Sequence, residues 1–314
     1  MTRLGPNEKL GNRYTVIREL NSGGFARVYL CRTAGGDEVA LKISDTDGGN
    51  DDQIKNDAIL REVDLLKQFN HSRIVKIYPI EGERNPIYFF RAPRLKGEPW
   101  FFVMEYLSGV TLADHLKQVG KLMPEEAAQI AGNIALGVKH IQSESNLSHN
   151  DIKTENVMFR GSVKNIGDQF DPVLIDFGIA AELSQHRPVA LTQHIMPPEM
   201  QPIPSTAATQ PKGDRDPGKV DVWTIGVLLY EMLTRKTPFE SRDQDKLADQ
   251  VRNQNPLPPS RFNKDVPPEF DRFIINHCMA KPPRDRPNID EVIRFLHKHG
   301  KGATALTVSR SFFG

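Results

Sequence analysis

The chain has 314 residues, 26% of them charged and 38% hydrophobic, with a formal net charge of +1. Such a composition suits a globular protein of one large domain or two smaller ones sharing a cleft, and the near-neutral charge gives no global reason to expect nucleic-acid or membrane partners. Cys31 and Cys278 lie far apart without metal-ligand spacing and read as reduced thiols. No run approaches the ~18 apolar residues of a membrane span and the start lacks an apolar signal core, so a cytoplasmic protein is expected.

Residues 1–12 read as an N-terminal extension. Residues 13–20 then alternate polar and apolar, meet Asn21-Ser22-Gly23-Gly24, and the alternation resumes at Val28-Tyr29-Leu30. Strand, glycine turn and strand predict a hairpin whose backbone can lie against phosphates, although a plain hairpin is the ordinary reading of such a stretch. Residues 37–43 alternate as a third strand, with Ala40 and Lys42 on one face. In residues 54–69, Ile54, Ala58, Ile59, Val63, Leu66 and Phe69 recur at helical spacing, and this predicted helix carries Glu62. A buried Lys without a partner would lose its charge, so a Glu62–Lys42 pair would both aim the amine and keep it cationic; a surface glutamate is the alternative. Residues 74–80 and 101–106 read as further strands, with 81–99 between them as a surface excursion.

Pro124 opens a stripe of Ala127, Ile130, Ala131, Ile134, Val138 and Ile141, which predicts a long buried helix. It delivers the chain to His149-Asn150-Asp151-Ile152-Lys153-Thr154-Glu155-Asn156, and Asp176-Phe177-Gly178 follows. Together these supply an Asp that can accept a hydroxyl proton, a Lys that can neutralise phosphate, and two groups that can hold Mg²⁺. Further on come Pro197-Pro198-Glu199, an apolar helix from Asp221-Val222-Trp223 through Tyr230 and Leu233, and Arg286 within Lys281-Pro282-Pro283-Arg284-Asp285-Arg286-Pro287. Residues 203–219 are rich in Pro, Ser, Thr, Ala and Gly and read as a mobile insertion. Ser205, Thr206 and Thr209 are its autophosphorylation candidates, a plain flexible loop being the alternative. Residues 300–314 form a short tail in which Phe312-Phe313 could dock in a groove.

Val39-Ala40-Leu41-Lys42, the His149–Asn156 run, Asp176-Phe177-Gly178 and Asp221-Val222-Trp223 occur in an order that resembles the eukaryotic-type Ser/Thr protein kinase family, over residues 13–299. The resemblance implies an α+β, two-lobed fold: a small β-rich lobe with one main helix (13–107) and a larger, mostly helical lobe (108–299). It implies ATP and Mg²⁺ as cofactors. Asp151 would orient the acceptor hydroxyl and take its proton, Lys153 would balance phosphoryl charge, and Asn156 and Asp176 would bind Mg²⁺. Lys42, held by Glu62, would address the α- and β-phosphates. The nucleotide would lie against Leu20, Asn21, Ser22, Gly23, Gly24, Phe25 and Val28 of the loop, then Ala40 and Met158, with Met104 behind the adenine and backbone groups of Glu105 and Leu107 at its edge. Thr192 would contact Asp151 and Lys153, Glu199 would pair with Arg286 to brace a substrate shelf, and His149 would be a packed structural residue.

Three departures from the family pattern matter. Asn21 and Ala26 replace the first and third loop glycines, so weaker ATP binding is expected. Asn150 stands where the family usually has the Arg that receives an activation-segment phosphate, a catalytic loop of the non-Arg-Asp type. Between Asp176 and Glu199 the hydroxyl residues are Ser184 and Thr192, so activity independent of activation-segment phosphorylation is expected. Ile195 replaces a usual Tyr, which leaves the shelf less defined than the catalytic loop. A protein bearing Ser or Thr is the expected partner, without nucleic acid or membrane, for a monomer or weak dimer. A pseudokinase scaffold and a small-molecule kinase are the alternatives. Retained catalytic residues oppose the former, and the Glu199, Asp221-Val222-Trp223 and Arg286 elements oppose the latter.

Overall fold

The alternating stretches near the start of the chain form an antiparallel sheet in the computed structural model, which describes residues 3–11, 13–83, 85–145, 147–161, 170–177, 193–201 and 216–300. The architecture is α+β and two-lobed. By internal packing the chain divides into Met1–Leu112 with His140–Thr192, and Ala113–Lys139 with Gln193–Gly314.

The first unit holds β1 (Lys9–Leu10), β2 (Tyr14–Ser22), β3 (Ala26–Thr33), β4 (Glu38–Ser44), β5 (Ile77–Tyr78), β6 (Phe89–Arg91) and β7 (Trp100–Glu105). Their order is β1-β2-β3-β4-β7-β5, with β6 also on β7. One face carries a core of Tyr14, Val16, Tyr29, Cys31, Leu41, Ile43, Phe101 and Val103, the alternate residues that a pleated strand turns to one side. Helix α1 (Asp52–Leu66) packs on β4 and β7. It starts two residues ahead of its apolar stripe, and Phe69 lies beyond its end. Beyond the catalytic loop, β8 (Val157–Phe159) pairs with β9 (Pro172–Leu174).

Two segments read as peripheral belong to this sheet. Lys9 and Leu10 pair with Thr15 and Tyr14, and Leu4 and Leu10 lie in the core. From the 81–99 excursion, Phe89, Phe90 and Arg91 pair with Phe102, Phe101 and Trp100. Strands of two or three residues are too short to alternate visibly, so pattern alone missed both. The strand expected at 74–80 shrinks to Ile77–Tyr78, with Ile74 making a single bridge to Leu174.

The second unit is helical. It holds most of α2 (Leu112–Val119) and α3 (Pro124–Ser145), then α4 (Pro217–Thr234), α5 (Gln244–Asn253), α6 (Pro268–Arg272), a π-helical stretch Phe273–Cys278, and α7 (Ile289–His299). The α3 stripe is fully buried as expected. Helix α4 is buried nearly all round, which its apolar sequence demands. Asp216 caps it through the Gly218 N–H and Pro217 opens its first turn, so residues 217–219 of the stretch expected as a mobile insertion belong to this helix, and 203–215 lie outside the described residues. Ser205, Thr206 and Thr209 lie outside the described residues, as do Phe312 and Phe313. Both cysteines are free and buried, Cys31 in β3 and Cys278 at the end of the π-helical stretch.

Candidate active site

The register of β4 opposite β3 and β7 sets Val28, Lys42 and Phe102 side by side. From there the Lys42 amine reaches the Glu62 carboxylate of α1 at 2.7 Å and Asp176 Oδ1, just past β9, at 3.3 Å. Burial would pull Lys42 down, yet Asp176 and Glu62 outweigh it and hold the amine above its ordinary value. Burial pushes the Glu62 carboxyl up, against the pull of Lys42. The Phe177 N–H, at 3.4 Å, also donates to Glu62.

The catalytic loop builds a second cluster. Lys153 Nζ lies 2.8 Å from Asp151 Oδ2, and Asn156 Nδ2 donates to the Asp151 carbonyl and to Oδ2 at 2.9 and 2.7 Å. The Ile175 N–H donates to the Asn156 carbonyl at 3.1 Å, which ties the approach to Asp176 to this loop. Beneath, the ring of His149 meets that of Phe177 at 4.6 Å, and Phe177 meets Phe69 at 5.8 Å. Burial lowers His149 to about 4 despite Asp151 and Asp176, so the ring is neutral and packs as the sequence reading expects. Asn150 has φ +65° and donates its amide to the Ser148 carbonyl at 2.9 Å. Asn tolerates this left-handed backbone better than most side chains do, which gives the departure from Arg a local structural reason.

In the loop between β2 and β3, the Gly23 N–H donates to the Ala26 carbonyl at 2.9 Å and Phe25 is exposed. Asn21 lies opposite Val28, next to a register shift at Leu20, and its Oδ1 accepts the Ser22 N–H at 2.8 Å. The side chain that replaces a glycine thus satisfies the loop's own backbone. Gly24 and Ser22 are exposed, Ala40 and Leu107 buried, Met158 half-buried, and Met104 sits buried opposite Ala40. The Glu105 N–H donates to the Lys76 carbonyl at 2.8 Å, so the backbone group this residue could turn to a purine edge is its carbonyl.

Two arginines that no motif singled out fasten these elements. Arg27 bonds Glu19 at 2.9 Å and Asp45 at 3.1 Å, clamping the hairpin to the end of β4. Arg160 grips Glu105 with two bonds of 3.1 and 3.0 Å and donates to the Ser72 carbonyl at 2.8 Å. Cross-strand register would have revealed the Arg27–Glu19 pair once the turn was known; nothing local in the sequence signals Arg160.

Glu199 and Arg286, in the second unit, form the expected bidentate pair at 2.7 and 2.8 Å. Arg286 further donates to the carbonyls of Ala280, Lys219 and Lys281. All five guanidinium N–H groups are therefore used, over the Trp223 ring. Gly178, Ser184 and Thr192 lie outside the described residues.

Residues 14–296 match the family described as Protein kinase domain. The chain is 29% identical over 287 residues to the serine/threonine-protein kinase PrkC of Bacillus subtilis, covering 89% of this chain and 39% of that protein. It is 29% identical over 291 residues to the serine/threonine-protein kinase PknB of Mycolicibacterium smegmatis, covering 89% and 41%. A mitogen-activated protein kinase kinase kinase of Drosophila melanogaster is 28% identical over 315 residues, covering 98% and 24%. The chain spans less than half the length of each of these relatives.

Proposed function

The chain belongs to the protein kinase domain family, and from that premise we propose that it is a serine/threonine protein kinase, transferring the γ-phosphoryl group of ATP to a protein hydroxyl. The observation that carries this reading is the convergence of Lys42, Glu62 and Asp176 with Asp151, Lys153 and Asn156 in one unit. The names of the bacterial relatives support the acceptor class. Lys42, kept cationic, faces the phosphates of the nucleotide. Asp151, held by Asn156 and Lys153, orients the acceptor hydroxyl and takes its proton. Lys153 then balances charge on the phosphoryl group in transit.

Mg²⁺ would be held by Asn156 and Asp176 and, when bound, supplies positive charge to the phosphate oxygens. The donors fit: Asn156 spends its Nδ2 on Asp151 and so offers an amide oxygen, and Asp176 offers a carboxylate. The catalytic domain spans residues 13–299, with the tail at 300–314. Activity does not require activation-segment phosphorylation, because Asn150 leaves no guanidinium before Asp151 to receive it. The protein acts in the cytoplasm on protein, not on nucleic acid or membrane, as a monomer or weak dimer. Among the described residues no helix is long and apolar enough to cross a membrane.

The test is to incubate phosphatase-treated wild type and Asp151→Ala with labelled ATP, Mg²⁺, a basic protein and small-molecule acceptors. Label on Ser or Thr of protein, in the wild type alone, is expected. Nucleotide binding without transfer would favour a scaffold, and label on small acceptors a small-molecule kinase.

A further inference from the structure

Glu62 serves Lys42 only if α1 sits at one depth and rotation against the sheet. What seats it is a buried amide earlier in the helix. Asn56 interrupts the apolar stripe of α1 and is buried, 6% exposed. Its Oδ1 accepts the Ser44 hydroxyl at the end of β4 (2.5 Å) and the Trp100 N–H at the start of β7 (3.0 Å). Its Nδ2 faces the Gly97 carbonyl at 3.5 Å. Burying an amide costs free energy unless its bonds are met, and here they come from two stretches distant in sequence, Ser44 and residues 97–100.

The same excursion grips the approach to α1. Thr46 Oγ1 donates to the Lys96 carbonyl at 2.7 Å, and Lys55 Nζ to the Asp45 carbonyl at 2.8 Å. The Asp52 carboxylate accepts the N–H groups of Asp47 and Gly48 at 3.0 and 2.7 Å. Gly97 has φ +76°, and an added Cβ would run into Asp52 and Thr46.

We propose that Asn56, backed by the Gly97 turn, is a positioning residue that fixes the seat of α1 and so delivers Glu62 to Lys42. The proposal rests on the kinase reading of the Lys42–Glu62 pair. A helix transmits such a seat as a rigid rod, and Asn56 and Glu62 are about 9 Å apart along its axis.

Asn56→Ala and Gly97→Ala are made singly and each in a Glu62→Gln background, and both kcat and amide exchange along α1 are measured. Each single change is expected to lower kcat about tenfold, as a misplaced catalytic group does, with KM for the protein acceptor within about threefold. In the Glu62→Gln background neither removes more than about a further twofold, since both act through the same pair. Amide exchange over residues 57–66 quickens in both variants. Cys31→Ala, a truncation in the same sheet, lowers thermal stability but keeps kcat within about twofold of wild type. Full additivity with Glu62→Gln, unchanged kcat, unchanged exchange, or an equal loss in Cys31→Ala would overturn the proposal. A wild type without transferase activity would instead overturn the kinase reading, and amide exchange alone would then decide whether the joint seats α1.

Discussion

Arg286 shows how much one side chain can organise. Its guanidinium is fully buried, meets five acceptors and lies over the Trp223 ring, 5.0 Å from its centroid. Arg286→Ala would strand the Glu199 carboxylate and three backbone carbonyls, so a loss of roughly 3–5 kcal/mol is expected in urea unfolding. Arg286→Lys should recover little, because an ammonium cannot reproduce a planar fork; near-complete recovery would show that charge alone matters there. At this scale the sequence was informative. Lys42, Glu62, Asp151, Lys153, Asn156 and Asp176 stand in recognisable motifs, and the structure brings Lys42 to Glu62 and Asp176, and Asp151 to Lys153 and Asn156. Arg160 and Asn56 were illegible because their partners come from segments brought near only by the fold, whereas the Arg27–Glu19 pair needed only the hairpin turn to be known.

Among the elements, long periodic ones were legible and short ones were not. The α3 stripe and the apolar run of α4 announce themselves over many turns, whereas β1 and β6 offer two and three residues each. Strand β1 nonetheless matters. It covers the edge of β2, the Val16 N–H and carbonyl bond Glu8 and Asn7, and the Leu4 N–H reaches the Tyr29 hydroxyl. Deleting residues 1–12 would bare that edge and remove two buried leucines, each contributing about 2 kcal/mol. A clear fall in melting temperature is expected, with self-association visible in light scattering as the exposed edge finds partners. An unchanged melting temperature would mean that β1 merely rests on the sheet.

For the whole molecule, a net charge of +1 leaves little global self-repulsion near neutrality, so pH dependence falls to individual buried groups. Lys281 is one. Its amine sits 4.6 Å from the Phe239 ring centroid and 5.2 Å from that of Trp223, and donates to the Val251 carbonyl. Burial, with Arg286 nearby, lowers it to about 8 from an unfolded value of 10.5. The unfolded chain therefore binds more protons between those values, and this group's penalty to folding is full below pH 8 and fades as pH rises toward 10.5. Relative to Lys281→Met, the wild type should gain stability across that window, read from denaturant midpoints at fixed temperature. A constant difference would place the amine in water.

The two cysteines divide between the two units, Cys31 in one and Cys278 in the other, and both are fully buried. Burial raises Cys31 to about 12 and pushes Cys278 up as well, so neither supplies thiolate while its surroundings hold. Alkylation at either sulfur thus requires local opening. The molecule carries two internal clocks: the relative labelling rates of Cys31 and Cys278 report which half comes apart sooner, with no probe introduced.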